Sequence, residues 1–311
     1  MIKWDQHIFA SVGLRVKYPE LRFGIELEFE RMREEYPRGL VHWRCERDPS
    51  LRNNGVEFIS KPLVLDELDP ALHEAQQCVN MFDLDPSWRC GLHTHVNVSY
   101  WTWKQLIQHA VLYALVEPYI FAEFAPGRES SHFCVPLWGN TRLIDNIADD
   151  AVRLRAGRVR DRDLNMAQCC KYSALNYKPI FLQGTIEFRH MPATANMNRV
   201  REWCDMLQRL VDVSHSYGSP EEIVQEFEDI GIEDILTKLG LHTCDVPEED
   251  VDDAYIAACM LGGYDPAKWQ DLRWDMPNMV VHPDDANRVL DRGQVIFDEA
   301  ELLEQIIRGE V

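Results

Sequence analysis

Apolar and polar residues alternate with period two from Phe23 to Glu30. Phe23, Ile25, Leu27 and Phe29 fall on one side, and Gly24, Glu26, Glu28 and Glu30 on the other. The pattern predicts a strand with one side in a core and three carboxylates on the opposite face. Carboxylates at i and i+2 stand about 7 Å apart along a strand, and their repulsion favours a cation between or above them. A solvated face on an edge strand is the plain alternative. The alternation returns in three more places. Val56-Glu57-Phe58-Ile59-Ser60 follows the turn signal Asn53-Asn54-Gly55. Leu92, Thr94, Val96 and Val98 alternate with His93, His95 and Asn97, and Ile186 and Phe188 alternate with Glu187 and Arg189. Val41 to Glu46 predicts a further strand, closed by a turn at Asp48-Pro49-Ser50.

Helical spacing fills the intervals. Leu68, Leu72, Ala75, Val79 and Phe82 mark residues 66–82 as a covering helix. Thr102 and Gln105 form a capping box for a helix running toward Glu117, where Pro118 is expected to kink or restart it. Residues 141–168 are charged and helical in pattern. Their arginines 153, 155, 158, 160 and 162 make either a solvated face or a lid over an anionic substrate. Arg199 to Val213 predicts a closing helix with Val200, Trp203, Leu207, Leu210 and Val211 inward. Farther on, Glu221 to Leu239 and Asp291 to Ile307 predict helices, with a turn at Gly262 to Pro266 between them.

The chain has 311 residues, 46% of them hydrophobic, enough to bury a substantial core. No apolar run reaches the roughly 20 residues of a membrane span. The first residues, Met1 to Gln6, lack the basic start and apolar middle of a signal peptide, so a cytoplasmic location is expected. Nine cysteines with no C-x-x-C pair, two of them adjacent at 169 and 170, predict reduced and mostly buried thiols. The net charge of -20 is uneven: residues 219–311 hold 24 acids and 6 bases, while the rest is close to neutral. An acidic surface makes nucleic acid and anionic membrane unexpected as general partners. Two regions follow, 1–218 as the catalytic domain and 219–311 as an acidic, mostly helical extension. Trp269 and Trp274 predict ordered packing for that extension, as a solubilising appendage or as a partner-binding element or lid.

Packing the apolar sides of these strands on one helical layer would gather Glu26, Glu28, Glu57, His93, His95, Glu187 and Arg189 on one open face. These strand centres contain no Lys. An α+β antiparallel sheet with a metal-ligand face is therefore expected. Arg128, on a Gly-containing loop after a helix, is a candidate phosphate clamp.

An ordered set of motifs now stands out. It comprises G-x-E-x-E at Gly24–Glu28, D-x-S at Asp48–Ser50, Glu57 with Ser60, and G-x-H-x-H at Gly91–His95. Arg128, Tyr172 with Asn176, and T-I-E-F-R at Thr185–Arg189 complete it. Over about residues 22–205 this set resembles the amidoligase family, carboxylate-amine ligases related to glutamine synthetase and glutamate-cysteine ligase. The resemblance implies a glutamine-synthetase-like curved antiparallel sheet with helices on its apolar face. Its concave face would hold ATP and two or three Mg²⁺ ions, with Mn²⁺ as a substitute. It implies Glu26, Glu28, Glu57, His95 and Glu187 as metal ligands. Arg128 and Arg189 would act at the transferring phosphoryl group, and His93 beside the substrate or nucleotide phosphates. Lys171 and Asn176 would lie toward the nucleotide, and Asp48 would position the second metal or the amine. Asp48-Pro49-Ser50 replaces the usual Asp-Gly-Ser, and Asn97 stands where an acid is expected.

The implied reaction converts a carboxylate to an acyl phosphate with ATP, releases ADP, and forms an amide with an amine or ammonia. A peptide or peptide-like carboxylate is one candidate substrate. Two other classes fit the residues: a single-metal zinc or iron hydrolase or oxygenase built on His93 and His95, and an inactive nucleotide-binding protein of the same fold.

Overall fold

The computed structural model describes residues 1–33, 36–160, 163–168, 171–242 and 245–263. Arg162, the pair Cys169-Cys170, the latter part of the turn at 262–266, Trp269, Trp274 and the helix expected at 291–307 lie outside the described residues. Six strands form one sheet: β1 (Phe23–Phe29), β2 (Trp43–Arg47), β3 (Val56–Ser60), β4 (Leu92–Asn97), β5 (Leu175–Asn176) and β6 (Thr185–Phe188). Their order is β2-β3-β1-β4-β6-β5, and every neighbouring pair is antiparallel. With helices against one side, the class is α+β.

The period-two residues do what their alternation predicts. Phe23, Ile25, Leu27 and Phe29 are fully buried on one side of β1, and Val56, Phe58, Leu92, Val96, Ile186 and Phe188 continue that side across the sheet. Three helices close it: α2 (Leu65–Phe82), α3 (Trp103–Phe124) and α6 (Met197–Ser216). Trp203 of α6 packs edge-on to Phe188 and donates its indole N–H to the Thr94 hydroxyl at 3.1 Å. Trp43 of β2 donates to the Ala71 carbonyl of α2 at 2.7 Å. Each large apolar side chain buried here contributes roughly 1.5–3 kcal/mol.

The start of α3 is set by the expected capping box, in which Thr102 accepts from the Gln105 amide and Gln105 accepts from the Thr102 amide. The helix runs unbroken through Pro118 to Phe124, although the proline removes one backbone donor. Burial on nearly every side of α3 holds it together. The helical pattern over 141–168 yields α4 (Thr141–Arg155), which stops before Gly157 at a φ of +61°, and a 3-10 turn at Met166–Gln168. Arg153 and Arg155 are paired, with Asp149, Asp150 and Asp163 and with Glu221 respectively. The span Glu221 to Leu239 is two helices, α7 (Pro220–Ile230) and α8 (Ile232–Leu239), divided where Gly231 takes a φ of +82°.

α9 (Glu248–Gly262) lays Ala257, Ala258, Cys259 and Leu261 into the same core as α3. The described part of the acidic extension thus packs on the main sheet-and-helix body. Among the described residues no helix is long and apolar enough to cross a membrane. The described cysteines, Cys45, Cys78, Cys90, Cys134, Cys204 and Cys259, are all free, and all but Cys45 are buried.

Candidate active site

The register of the sheet decides which polar side chains meet. On the face away from the helices, Glu26 pairs across with His93, Gly24 with His95, and Glu28 with Glu57. On the other side of β4, His95 pairs with Glu187, and Asn176 of β5 pairs with Glu187 in turn. Residues spaced along five separate stretches of sequence therefore converge. His93 Nδ1 stands 3.6 Å from Glu26 Oε2, 3.9 Å from Glu28 Oε1 and 3.6 Å from Glu187 Oε1. His95 Nε2 is 3.5 Å from Glu26 Oε1.

Three overlapping donor groups result, each with ligand atoms within 4.8 Å of one another: Glu26, His95 and Glu187; Glu26, Glu57 and His93; Glu28, Asp48 and Glu57. All five expected metal ligands fall in these groups, joined by His93 and Asp48. Carboxylate oxygens with two imidazoles form a donor set that could hold a divalent metal ion. The electrostatics point the same way. Burial first, then the charges of Glu26, Glu28 and Asp48, push the Glu57 carboxyl up to about 8. Glu28 is raised by burial, which outweighs His93 and the Gly91 amide. Burial alone would raise Glu26 and Glu187 as well. Hydrogen bonds from His93 and His95 override it at Glu26, and Arg189 with the two histidines overrides it at Glu187, so both are lowered. Carboxylates pushed toward protonation by one another are a face short of positive charge.

Glycine shapes this face at Gly91. A Cβ there would lie 2.8 Å from His93 Nε2, and the Gly91 amide donates to Glu28 Oε2 at 2.6 Å. His95 Nδ1 meets the Thr185 hydroxyl at 2.9 Å, a contact that fixes the orientation of the ring whose Nε2 faces Glu26. Asn176, expected toward the nucleotide, gives its amide to Glu187 Oε2 at 2.7 Å and accepts from the Lys178 amide, so it braces the carboxylate. Gly91 and Thr185 bracing was not read from the sequence, although both residues lay inside the motifs that were.

The β6 end of the face is basic. Arg189 bonds Glu187 through Nη1, and the Nε atoms of Arg189 and Arg128 are both buried without a partner. The charges of both arginines act on the thiol of buried Cys134. Burial nevertheless dominates there and pushes the thiol up to about 12. Buried arginine donors without acceptors suit an anion. Lys171 is exposed, its ammonium 4.9 Å over the Tyr172 ring, and belongs to none of the donor groups. Asp48 Oδ1 accepts from the Ser50 amide and hydroxyl, so proline in the D-P-S turn leaves the Asp–Ser contact intact.

Two polar positions brace loops. Asn97 donates to the carbonyls of Tyr18 and Glu20 and accepts from Ser99, which ties down the lead-in segment. Glu30 accepts from the Arg52 amide and from Asn53, bracing the loop between β2 and β3.

An antiparallel sheet with carboxylates and imidazoles on one face and arginines toward one end has groups that could hold a metal ion and an anion. A family model described as "Putative amidoligase enzyme" matches residues 46–211. The chain belongs to this family. The matched span begins after β1, so Glu26 and Glu28 join the site through strand register alone. A search of curated proteins finds no match. Among solved structures, a bifunctional glutathione synthetase from Pasteurella multocida aligns at 9% identity over 80% of this chain and 49% of its own, with a TM-score of 0.31. The chain spans about half the length of that structure, and a likeness at this level carries no argument.

Proposed function

We propose that the chain is an ATP-dependent carboxylate-amine ligase that forms an amide through an acyl phosphate and releases ADP. The observation that carries this reading is the gathering, on one sheet face, of three donor groups built from carboxylates and imidazoles, with Arg189 bonded to Glu187 of that face and the Nε atoms of Arg189 and Arg128 buried without a partner. In this reading the fold is glutamine-synthetase-like, residues 1–218 form the catalytic part, and 219–311 form an extension on it. Glu26, Glu28, Glu57, His95 and Glu187 would hold Mg²⁺ or Mn²⁺, with His93 and Asp48 beside them. When bound, the ions would offset negative charge on the phosphate oxygens of ATP.

The remaining chemistry falls to the chain. Arg128 and Arg189 take the charge of the γ-phosphoryl group as a substrate carboxylate oxygen attacks its phosphorus and the bond to ADP breaks. The amine nitrogen then attacks the acyl carbon, inorganic phosphate leaves, and the nitrogen loses its proton. No covalent link to the enzyme is needed, consistent with the absence of a lowered thiol among the described cysteines. Cys90, at the site's edge, is pushed up to about 11 by burial.

The test is the thermal midpoint with Mg²⁺ alone, ATP alone and both. A ligand specific for the folded state adds roughly 2.7 kcal/mol at a hundredfold excess over its dissociation constant. A rise that requires both supports the proposal. No rise at saturating concentrations, with zinc or iron held tightly, overturns it in favour of single-metal chemistry. Glu26→Ala is expected to abolish ADP release in a screen of carboxylates with amines while the apoprotein midpoint holds.

A further inference from the structure

Behind the arginine end of the site runs a chain of buried polar groups. Glu117, fully buried in α3, accepts from the Tyr113 hydroxyl at one oxygen, and from the Leu137 and Trp138 amides, at 2.7 and 3.4 Å, at the other. Tyr113 Oη is in turn 2.8 Å from Nε2 of His190, which is also fully buried. With Tyr113 donating to Glu117, the remaining bond runs from His190 Nε2–H to the Tyr113 oxygen. Rings back the chain: Phe121 lies 4.8 Å from His190 and 5.5 Å from Trp138.

The ends of this chain matter more than its middle. His190 follows Arg189 in sequence. Leu137 and Trp138 close the loop that begins at Arg128, and the Arg128 charge reaches the His190 ring. Polar groups in such a core cost desolvation, and apolar residues of the same volume would commonly be as stable. Stability alone is therefore a weak reason for three of them in a row. His190 Nδ1 is buried without a partner, but both Glu117 oxygens and the Tyr113 hydroxyl are bonded, and such bonds fix geometry in a way that apolar packing does less well.

We infer that Tyr113, Glu117 and His190 are positioning residues that hold Arg128 and Arg189 at the spacing that grips a polyphosphate. This rests on the ligase reading only in naming ATP as the polyphosphate's source. Glu28, His95 and Glu187 also have holds of their own, on Gly91, Thr185 and Asn176, and of these three only Glu187 shares a bond with Arg189.

The experiment compares the full-length wild type with Tyr113→Phe and, should that variant not fold, Glu117→Gln. Dissociation constants are measured by calorimetry for tripolyphosphate and for MgATP, and by paramagnetic resonance for Mn²⁺. Tyr255→Phe, which removes a phenol–carboxylate bond to Glu228 on α7, is the control for generic destabilisation. The expected result is at least a tenfold weaker grip on tripolyphosphate with Mn²⁺ affinity unchanged and the control like wild type. Wild-type affinity for tripolyphosphate in the folded variant, whatever its midpoint, overturns the inference, as does an equal loss in the control. Wild type that binds tripolyphosphate but not MgATP ends the ligase reading, and a tenfold loss in the variants would still uphold the positioning role. Wild type that binds neither overturns both.

Discussion

The two faces of the sheet carry the same strands and differ in every other respect. On the helix side, Phe23, Ile25, Leu27, Phe58 and Phe188 meet α2, α3 and α6 with no polar group unaccounted for at the strand centres except Thr94, which accepts from Trp203. On the other side, one residue along in each strand, burial and then the neighbouring carboxylates push Glu57 up to about 8. One face is filled by helices, and the other gathers groups that could hold a metal ion. Stability and function are separated by a single step of the pleat.

Phe188 and Glu187 are adjacent and offer the sharpest break of that comparison. Phe188 is buried to 1% exposure between Tyr113 and Trp203, and Phe188→Ala is expected to lower unfolding free energy by about 3–5 kcal/mol. Denaturant titration checks it, and Mn²⁺ affinity of the protein that remains folded should stay as in wild type. Glu187→Gln should do the reverse, with stability within about 1 kcal/mol and Mn²⁺ affinity lost. Equal effects of the two substitutions on either readout would mean the faces are not separable.

Gly91→Ala sharpens the comparison from inside the open face. The new methyl would fall 2.8 Å from His93 Nε2, and with His93 at 7% exposure the imidazole has little room to yield. Mn²⁺ affinity is expected to fall about 10–100-fold, the usual cost of disturbing a group that orients ligands. The thermal midpoint should move little, because no core contact is lost.

Much of this was legible in the sequence. Period-two alternation placed Glu26, Glu28, Glu57, His93, His95 and Glu187 on a common face because strand parity is a local property. The capping box at Thr102 was readable for the same reason. Other features depend on residues that only the fold brings together. β5 is two residues long, too short to show a period, and it matters because Asn176 reaches Glu187. Asn97 is spoken for by carbonyls 79 and 77 residues away. Glu30 shares the parity of Glu26 and Glu28 yet is taken by the loop at Arg52 and Asn53. The break at Gly231 needed a positive φ that helical spacing alone does not reveal.

The smallest predicted effect separates the histidines of the open face from those behind the sheet. His93 and His95 sit among carboxylates, whereas His109 of α3 is fully buried, with neither ring nitrogen paired. Burial, then the nearby His215, holds its pKa down to about 3 against 6.5 when unfolded. Between those values the unfolded chain binds a proton that the folded one refuses. The stabilising contribution is thus complete above pH 6.5 and is lost as pH falls through the window toward 3. At pH 5.5, one unit below the unfolded value, the loss is about 1.4 kcal/mol. Glu57 and Glu117, both pushed up to about 8 chiefly by burial, favour the folded state more as pH falls and would mask the effect in wild type. Those contributions cancel in a comparison with His109→Met, which conserves volume. Wild type should lose about 1.4 kcal/mol more than this variant between pH 7.5 and 5.5 by denaturant titration in the absence of metal. Parallel curves would show that His109 meets water or a proton in the folded protein, and that the helix side is not as closed as its packing states.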